Sequence, residues 1–241
     1  MAAGLKVKAL RSSSAGNAIV VYGEEAPPVL LDCGLPFKQL SRELWQQGFA
    51  VSQLAGCLVT HCHSDHSKAA GALMAAGVDV YCSAETAQAL SLGGHRLHTI
   101  EPELKFGLNS WRVMPLKAIH DSPGPLNFYM AAGPDRLVYI TDTAYSPYRF
   151  AGLTHIIIEC NYSAEILQKH FDDGIMDSRA VNRIMDTHMG LDTVRDFLRA
   201  NDLSQVRGIW LAHLSNGNSN EKDFKRYIAG LTGRPVYVIN S

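Results

Sequence analysis

A mixed α/β fold in four layers, two packed sheets with helices outside, is the architecture this sequence predicts. Three observations carry that prediction. Short apolar runs of strand length recur along all 241 residues, separated by Gly, Pro, Asn and Asp. Helical patterns flank each half of the chain, while strands dominate its middle. No Pro/Gly/Ser-rich linker, internal repeat or low-complexity tract divides the sequence, so residues 1–241 read as one domain.

The elements follow in order. LKVKAL at 5–10, NAIVVY at 17–22 and PVLLD at 28–32 are strand runs joined by short turns, which predicts an antiparallel opening. A helical pattern starts at Pro36, a residue suited to a first turn, and runs through Leu40, Leu44 and Trp45 to the Gly48 stop. AGCLVT at 55–60 is a buried strand, and SKAAGALMAAG after it is an Ala/Leu-rich helix beginning near Ser67 and ending on Gly77. Further strands are predicted at VDVYC, WRVMPL, LNFYMAA, RLVYIT, HIIIEC, GIWLAH and VYVIN. Helices are predicted at AETAQALS, AEILQKHFDD through SRAVNRIMDT, DTVRDFLRAN and NEKDFKRYIAGL.

Composition bounds the function. The balance of 22 Lys+Arg against 23 Asp+Glu excludes a globally basic nucleic-acid coat and an acidic solvating tail, but not a local basic groove. No window approaches the roughly 18 consecutive apolar residues of a membrane span. Lys6 and Lys8 interrupt the start of the chain, so no secretory signal is read there. Five scattered Cys without a CxxC pair suit reduced thiols and a cytoplasmic protein.

Ten His is a high count for this length, and their placement carries the argument. In Thr60-His61-Cys62-His63-Ser64-Asp65-His66, an extended chain sends His61 and His63 to one side, where they can hold one ion. As the chain turns into the helix, Asp65 and His66 point in an adjacent direction that suits a second ion. Three imidazoles and a carboxylate fit Zn²⁺ and also admit Mn²⁺ or Fe²⁺. Cys62 alternates to the opposite face. Further ligands are sought where later strands end: His120 after RVMPLKAI, Asp142 after LVYIT and His213 after GIWLA.

Residues 60–66 match the THxHxDH signature of the metallo-β-lactamase superfamily, and His120, Asp142 and His213 resemble its later metal motifs in order and setting. That resemblance implies an αββα sandwich. It places His61, His63 and His120 on a first ion and Asp65, His66 and His213 on a second, with Asp142 bridging both. LRSSSAGNAIVV, LLDCGL, AIHD at 118–121, ECNYS at 159–163 and LAHLS at 211–215 are similar to the small WalJ/YycJ-type, nuclease-like branch. The likeness extends from about residue 5 to about residue 215 and departs at Thr187-His188-Met189-Gly190, where the branch more often shows Gly-His-Leu-Ser.

The function so implied is a dinuclear metal-dependent phosphodiesterase, a DNA nuclease of 5′ to 3′ exonuclease type that uses a metal-bridging hydroxide. Its cofactors are two divalent ions, Zn²⁺ or Mn²⁺. Two ions about 3.5–4 Å apart can clamp a phosphodiester and bring a bound water's pKa toward neutrality. Asp65 could take the water's proton and His188 could give one to the leaving oxygen or bind phosphate. Ser14 and Asn17, in the turn with Ser13 and Gly16, could receive a phosphate, and Asn161 could contact substrate. Lys68, Lys117, Arg149, Arg179 and Arg183 could line a groove, though isolated charges are mostly solvated. Glu159 could support a ligand or simply close its strand. His155 sits at the opposite strand end, and His95, His98 and His170 fall in polar connections. DNA is favoured over RNA because no second nuclease domain and no tRNA-gripping arm is seen. The alternatives are an RNA-processing or small cyclic-phosphodiester hydrolase, a thioester or lactam hydrolase, and a noncatalytic metal-binding partner protein. Two divalent ions and one hydroxide would add about three positive charges to the formal −1, so a near-neutral chain remains compatible with nucleic acid.

Overall fold

The computed structural model describes residues 4–13 and 15–239. Backbone contacts divide the described residues into two compact units, one lying within residues 4–117 and 122–135, the other within residues 118–121 and 136–239.

In the first unit, strand β1 (Lys6–Ser13) and strand β2 (Gly16–Tyr22) pair antiparallel, with a bulge between Ala9 and Arg11. Strand β3 (Val29–Leu31) pairs antiparallel with β2, which gives the predicted opening. Helix α1 (Phe37–Gln46) then buries Leu40 and Leu44. Strand β4 (Gly56–Leu58) pairs parallel with β3. Helix α2 (Ser64–Ser67) and helix α3 (Ala70–Ala75) follow, then strand β5 (Val80–Cys82), helix α4 (Ala84–Ala89) and strand β6 (Leu97–Thr99). The six strands form one sheet in the order β1-β2-β3-β4-β5-β6. Strand β7 (Phe106–Leu108), strand β8 (Trp111–Lys117) and strand β9 (Leu126–Ala132) make an antiparallel meander.

The core of this unit gathers Val20, Leu30, Leu40, Leu44, Val59 and Leu73, all fully buried. Cys33, Cys57 and Cys82 lie in the same core. Burial pushes the Cys82 thiol up to about 12, so it packs as a small hydrophobe. All five cysteines are free thiols.

The second unit is built on parallel strands: β10 (Asp135–Ile140), β11 (His155–Glu159), β12 (Gly208–Ala212) and β13 (Val236–Val238). Parallel strands need long crossovers, and helices supply them. Helix α5 (Ala164–Asp172), helix α6 (Ser178–Thr187) and helix α7 (Leu191–Arg199) lead from β11 to β12, and helix α8 (Glu221–Thr232) leads from β12 to β13. Every residue of β11 is buried, which is why it reads as an unbroken apolar run and not as an alternation.

Three expectations are corrected. The helix after the His-rich segment begins at Ser64, not near Ser67, and is interrupted before Ala70. The Cys33 N–H donates to the His66 carbonyl at 2.7 Å and the Ala69 N–H to the Cys33 carbonyl at 2.9 Å. These bonds run sideways to the end of β3 and not along a helix axis. Strands β6 and β7 went unread because three residues apiece, of which only Leu108 is buried, carry too little apolar signal. His98 accordingly lies on a strand, stacked on Tyr81 at 4.6 Å, and His170 lies in the last turn of α5, so neither is in a connection.

Candidate metal centre

Each unit carries its own array of histidines and acids at strand ends. In the first unit the organiser is Asp32, fully buried just past β3. Its Oδ1 accepts from the Thr60 N–H at 2.8 Å and the Thr60 hydroxyl at 2.9 Å, and its Oδ2 accepts from His66 Nδ1 at 2.7 Å. A carboxylate only accepts, so the single hydroxyl hydrogen of Thr60 goes to Asp32. The Thr60 oxygen must then accept from His61 Nδ1, 3.0 Å away. One acid thereby fixes the tautomer of two histidines, with Nδ1 protonated and Nε2 carrying the lone pair.

The residues following β4 are not strand, yet His61 and His63 still meet, edge to face with centroids 4.7 Å apart, and His61 lies 4.3 Å from His66. Asp65 Oδ2 is 3.4 Å from His66 Nε2. Asn17 is buried and aims its Nδ2 at His66 Nε2 at 3.0 Å, while its oxygen accepts from Ser12 at 3.0 Å. Ser14 lies outside the described residues. Gly34 lets this assembly close: a Cβ built on it would fall 1.6 Å from the Asp65 carbonyl oxygen.

In the second unit, donor atoms of Asp142, Glu159, His188 and His213 all lie within 4.8 Å of one another. Glu159 is fully buried, and its Oε1 takes His188 Nδ1 at 2.6 Å and His213 Nδ1 at 3.2 Å. Its Oε2 accepts from the N–H groups of Thr143 at 3.3 Å and Met189 at 3.2 Å. Asn161, also buried, donates to the His213 carbonyl at 3.0 Å. His120 gives its Nδ1 hydrogen to the Thr187 carbonyl at 3.0 Å, and its Nε2 lies 3.4 Å from Asp142 Oδ2. His213 Nε2 lies 3.5 Å from Asp142 Oδ1. Every one of these rings has an oxygen partner at Nδ1, as the rings of metal-binding histidines do.

Electrostatics follow from burial and these partners. Burial by itself raises the Glu159 carboxyl, but the charges and hydrogen bonds of His188 and His213 overcome it and hold the group well below the usual carboxylate range. Burial lowers His188, yet Glu159 outweighs it and the net shift is upward. His120 moves down because burial exceeds the opposing pull of Asp142 and Thr187.

Asp32, Asp142 and His213 share a backbone signature. Their φ angles are +57°, +44° and +51°, in the left-handed region that Asp and His tolerate better than most side chains. Each follows a buried strand and is itself buried. Sequence reasoning noted the strand containing Asp32 but not its role, and left Glu159 undecided. In both, an acid closes a wholly apolar run (VLLD, HIIIE), a signal available in the sequence.

Imidazoles with oriented Nε2 atoms, next to carboxylates, form a donor set that fits a borderline divalent cation. A mixed α/β chain that ends its buried strands in such groups is a metal-dependent hydrolase by class. It belongs to the β-lactamase superfamily, whose domain model matches residues 28–213. Exodeoxyribonuclease YycJ of Bacillus anthracis is 27% identical over 236 residues, 92% of this chain and 87% of that protein. Exodeoxyribonuclease WalJ of Streptococcus pneumoniae is 27% identical over 231 residues, 90% of this chain and 84% of that protein. The solved metallo-β-lactamase fold protein YhfI of Bacillus subtilis shares the fold with a TM-score of 0.73 at 16% identity, over 98% of this chain and 97% of that one. Among the described residues no helix is long and apolar enough to cross a membrane.

Proposed function

We propose that the protein is a dinuclear metal-dependent phosphodiesterase acting on DNA, an exonuclease of 5′ to 3′ polarity in a reducing cytoplasm. The observation that carries this reading is the Glu159-centred cluster in a chain similar, over nine-tenths of its length, to proteins named exodeoxyribonucleases. On the superfamily pattern, His61, His63, Asp65, His66, His120, Asp142 and His213 would hold two ions, Zn²⁺ or Mn²⁺. Such ions supply Lewis-acid charge and an activated water.

The chain's own groups do the rest. Asp65, whose side chain is 23% exposed, is the residue able to accept a proton at its carboxylate from attacking water. His188 is anchored at Nδ1 by Glu159, which leaves Nε2 to hand a proton to the leaving oxygen. Asp32 and Thr60 keep the His61 and His66 rings fixed, so little reorganisation accompanies binding. Ser14, Asn17 and Asn161 complete the proposal as substrate-side groups.

The test is to strip the full chain of metal, reload it with Zn²⁺ or Mn²⁺, and assay end-labelled DNA, RNA and a thioester. DNA turnover restored by the ion and abolished by chelation is the expected result. Turnover of the thioester alone overturns the reading. Loss of the Asp142 carboxylate in Asp142→Ala should lower both bound metal and activity, and a variant keeping two ions and full rate would contradict the dinuclear assignment.

A further inference from the structure

A cleft of about 360 Å³ opens in the second unit between the segment that follows Asp142 and helix α7, and it reaches Met189, whose N–H donates to Glu159. Tyr145, Tyr148 and Arg149 line one side, and Met189, Thr193 and Phe197 line the other. Tyr145 is 51% exposed, an unusual place for a large ring.

The segment is irregular but tied down at both ends. Thr143 donates its hydroxyl to the Tyr145 carbonyl at 2.9 Å and its N–H to Glu159. At the far end Arg149 donates to the Ala200 carbonyl at 3.0 Å, and the Phe150 N–H donates to Asn201 Oδ1, just past helix α7, at 2.7 Å. The Tyr148 and Phe150 rings stack at 6.3 Å. Both walls of the cleft connect to one acid, since Glu159 also accepts from Met189. The carboxylate that holds His188 therefore sets the distance between the cleft and the proton-donating ring.

An exposed aromatic ring on a segment whose backbone is tied at both ends, apolar depth from Met189 and Phe197, and a guanidinium at the rim are the parts from which proteins build stacking platforms for unpaired bases. The one acid in the lining, Asp196, is engaged by Arg195 at 2.8 Å. The volume lies at the lower end of the range for small-ligand sites, roughly 300–1,000 Å³.

We propose that this cleft seats the nucleobase at a single-stranded end of the substrate, stacked on Tyr145, with Arg149 facing the phosphodiester chain. The inference rests on the nuclease reading and adds what that reading lacks, a reason to prefer an unpaired end. Tyr145 and Arg149 are binding residues on this view. His188 and Glu159 keep the roles already given.

The experiment is a double-substitution cycle. Full-length protein loaded with Mn²⁺ is assayed on single-stranded oligodeoxynucleotides whose terminal residue carries adenine or a tetrahydrofuran abasic sugar, at either end. The wild-type chain, Tyr145→Ala and Tyr145→Phe are compared. In the wild type, removing the base should raise KM about ten-fold, within the span expected for one stacked base. In Tyr145→Ala the same removal should change KM less than two-fold, because the partner ring is already gone. Tyr145→Phe should keep the wild-type penalty. Equal penalties in wild type and Tyr145→Ala, or no penalty in a wild type that degrades both oligonucleotides, overturn the cleft assignment and leave the nuclease reading standing. A wild type that degrades neither oligonucleotide but hydrolyses a thioester with a KM that Tyr145→Ala raises overturns both, and assigns the cleft to an acyl group.

Discussion

The two histidine arrays solve one orientation problem in different ways. In the first unit a continuous segment, Thr60 to His66, supplies the rings, and Asp32 holds them through Thr60 and directly. In the second, the rings come from three distant stretches, and Glu159 gathers two of them with two backbone N–H groups. Asp32 thus organises a local turn that packs against β3, so its bonds hold the fold as well as the rings. Glu159 lies at the hub of separate segments whose backbones are already fixed by parallel strands, and its contribution falls more on the rings themselves.

On that difference, Asp32→Ala should be the most damaging change. It leaves the Thr60 N–H, the Thr60 hydroxyl and the His66 ring without their shared acceptor in a buried place. Each buried donor left without its acceptor costs roughly 1–3 kcal/mol, and thermal unfolding should show a drop of about 10 °C. A fall of only a few degrees would break the comparison. Gly34→Ala comes next: a methyl 1.6 Å from a backbone oxygen forces β3 and α2 apart, and overpacking of this kind costs roughly 1–3 kcal/mol or more. Chemical denaturation would measure it.

Glu159→Gln should reverse the pattern. It retains shape and one acceptor, so Tm should shift by only a few degrees, while kcat falls roughly 10–100-fold, as for other groups that orient metal-binding or proton-donating histidines. An unchanged kcat would remove Glu159 from the organising role. Asn161→Ala deletes one donor to the His213 carbonyl and should cost about 1 kcal/mol in the same denaturation experiment. The smallest effect belongs to Arg183→Ala. Its pair with Asp121 is short, at 2.8 Å, but the Arg183 side chain is 69% exposed, so stability should change by less than about 1 kcal/mol.

The same contrast explains what could be read from the sequence. His61, His63, Asp65 and His66 declared themselves because four ligand types crowd into one short stretch after an apolar run. His120, Asp142 and His213 were found only as polar residues closing later runs. Glu159 and Asp32 stayed in the background because an acid at a strand end looks the same whether it caps a turn or orients a ring, and only the fold shows which donors face it. The break between α2 and α3 went unread for a related reason: the His66 carbonyl and the Ala69 N–H bond to Cys33, about thirty positions away in sequence, and local helix propensity carries no trace of those bonds. Strands β8 to β13 were legible because each is a long or fully apolar run. Strands β6 and β7 were not, since register with their neighbours defines them and not composition.

The left-handed backbone at Asp32, Asp142 and His213 has a bearing on how such a chain can drift. Each position stores roughly 1–3 kcal/mol of conformational strain, and glycine would release part of it at once. At Asp32 that release is smaller than the loss of an acceptor shared by three buried donors, so a screen for thermal robustness alone would spare it. At Asp142 and His213 the same screen would favour glycine and strip the candidate metal centre of two side chains, and there an engineer seeking a hardier variant should leave the chain untouched.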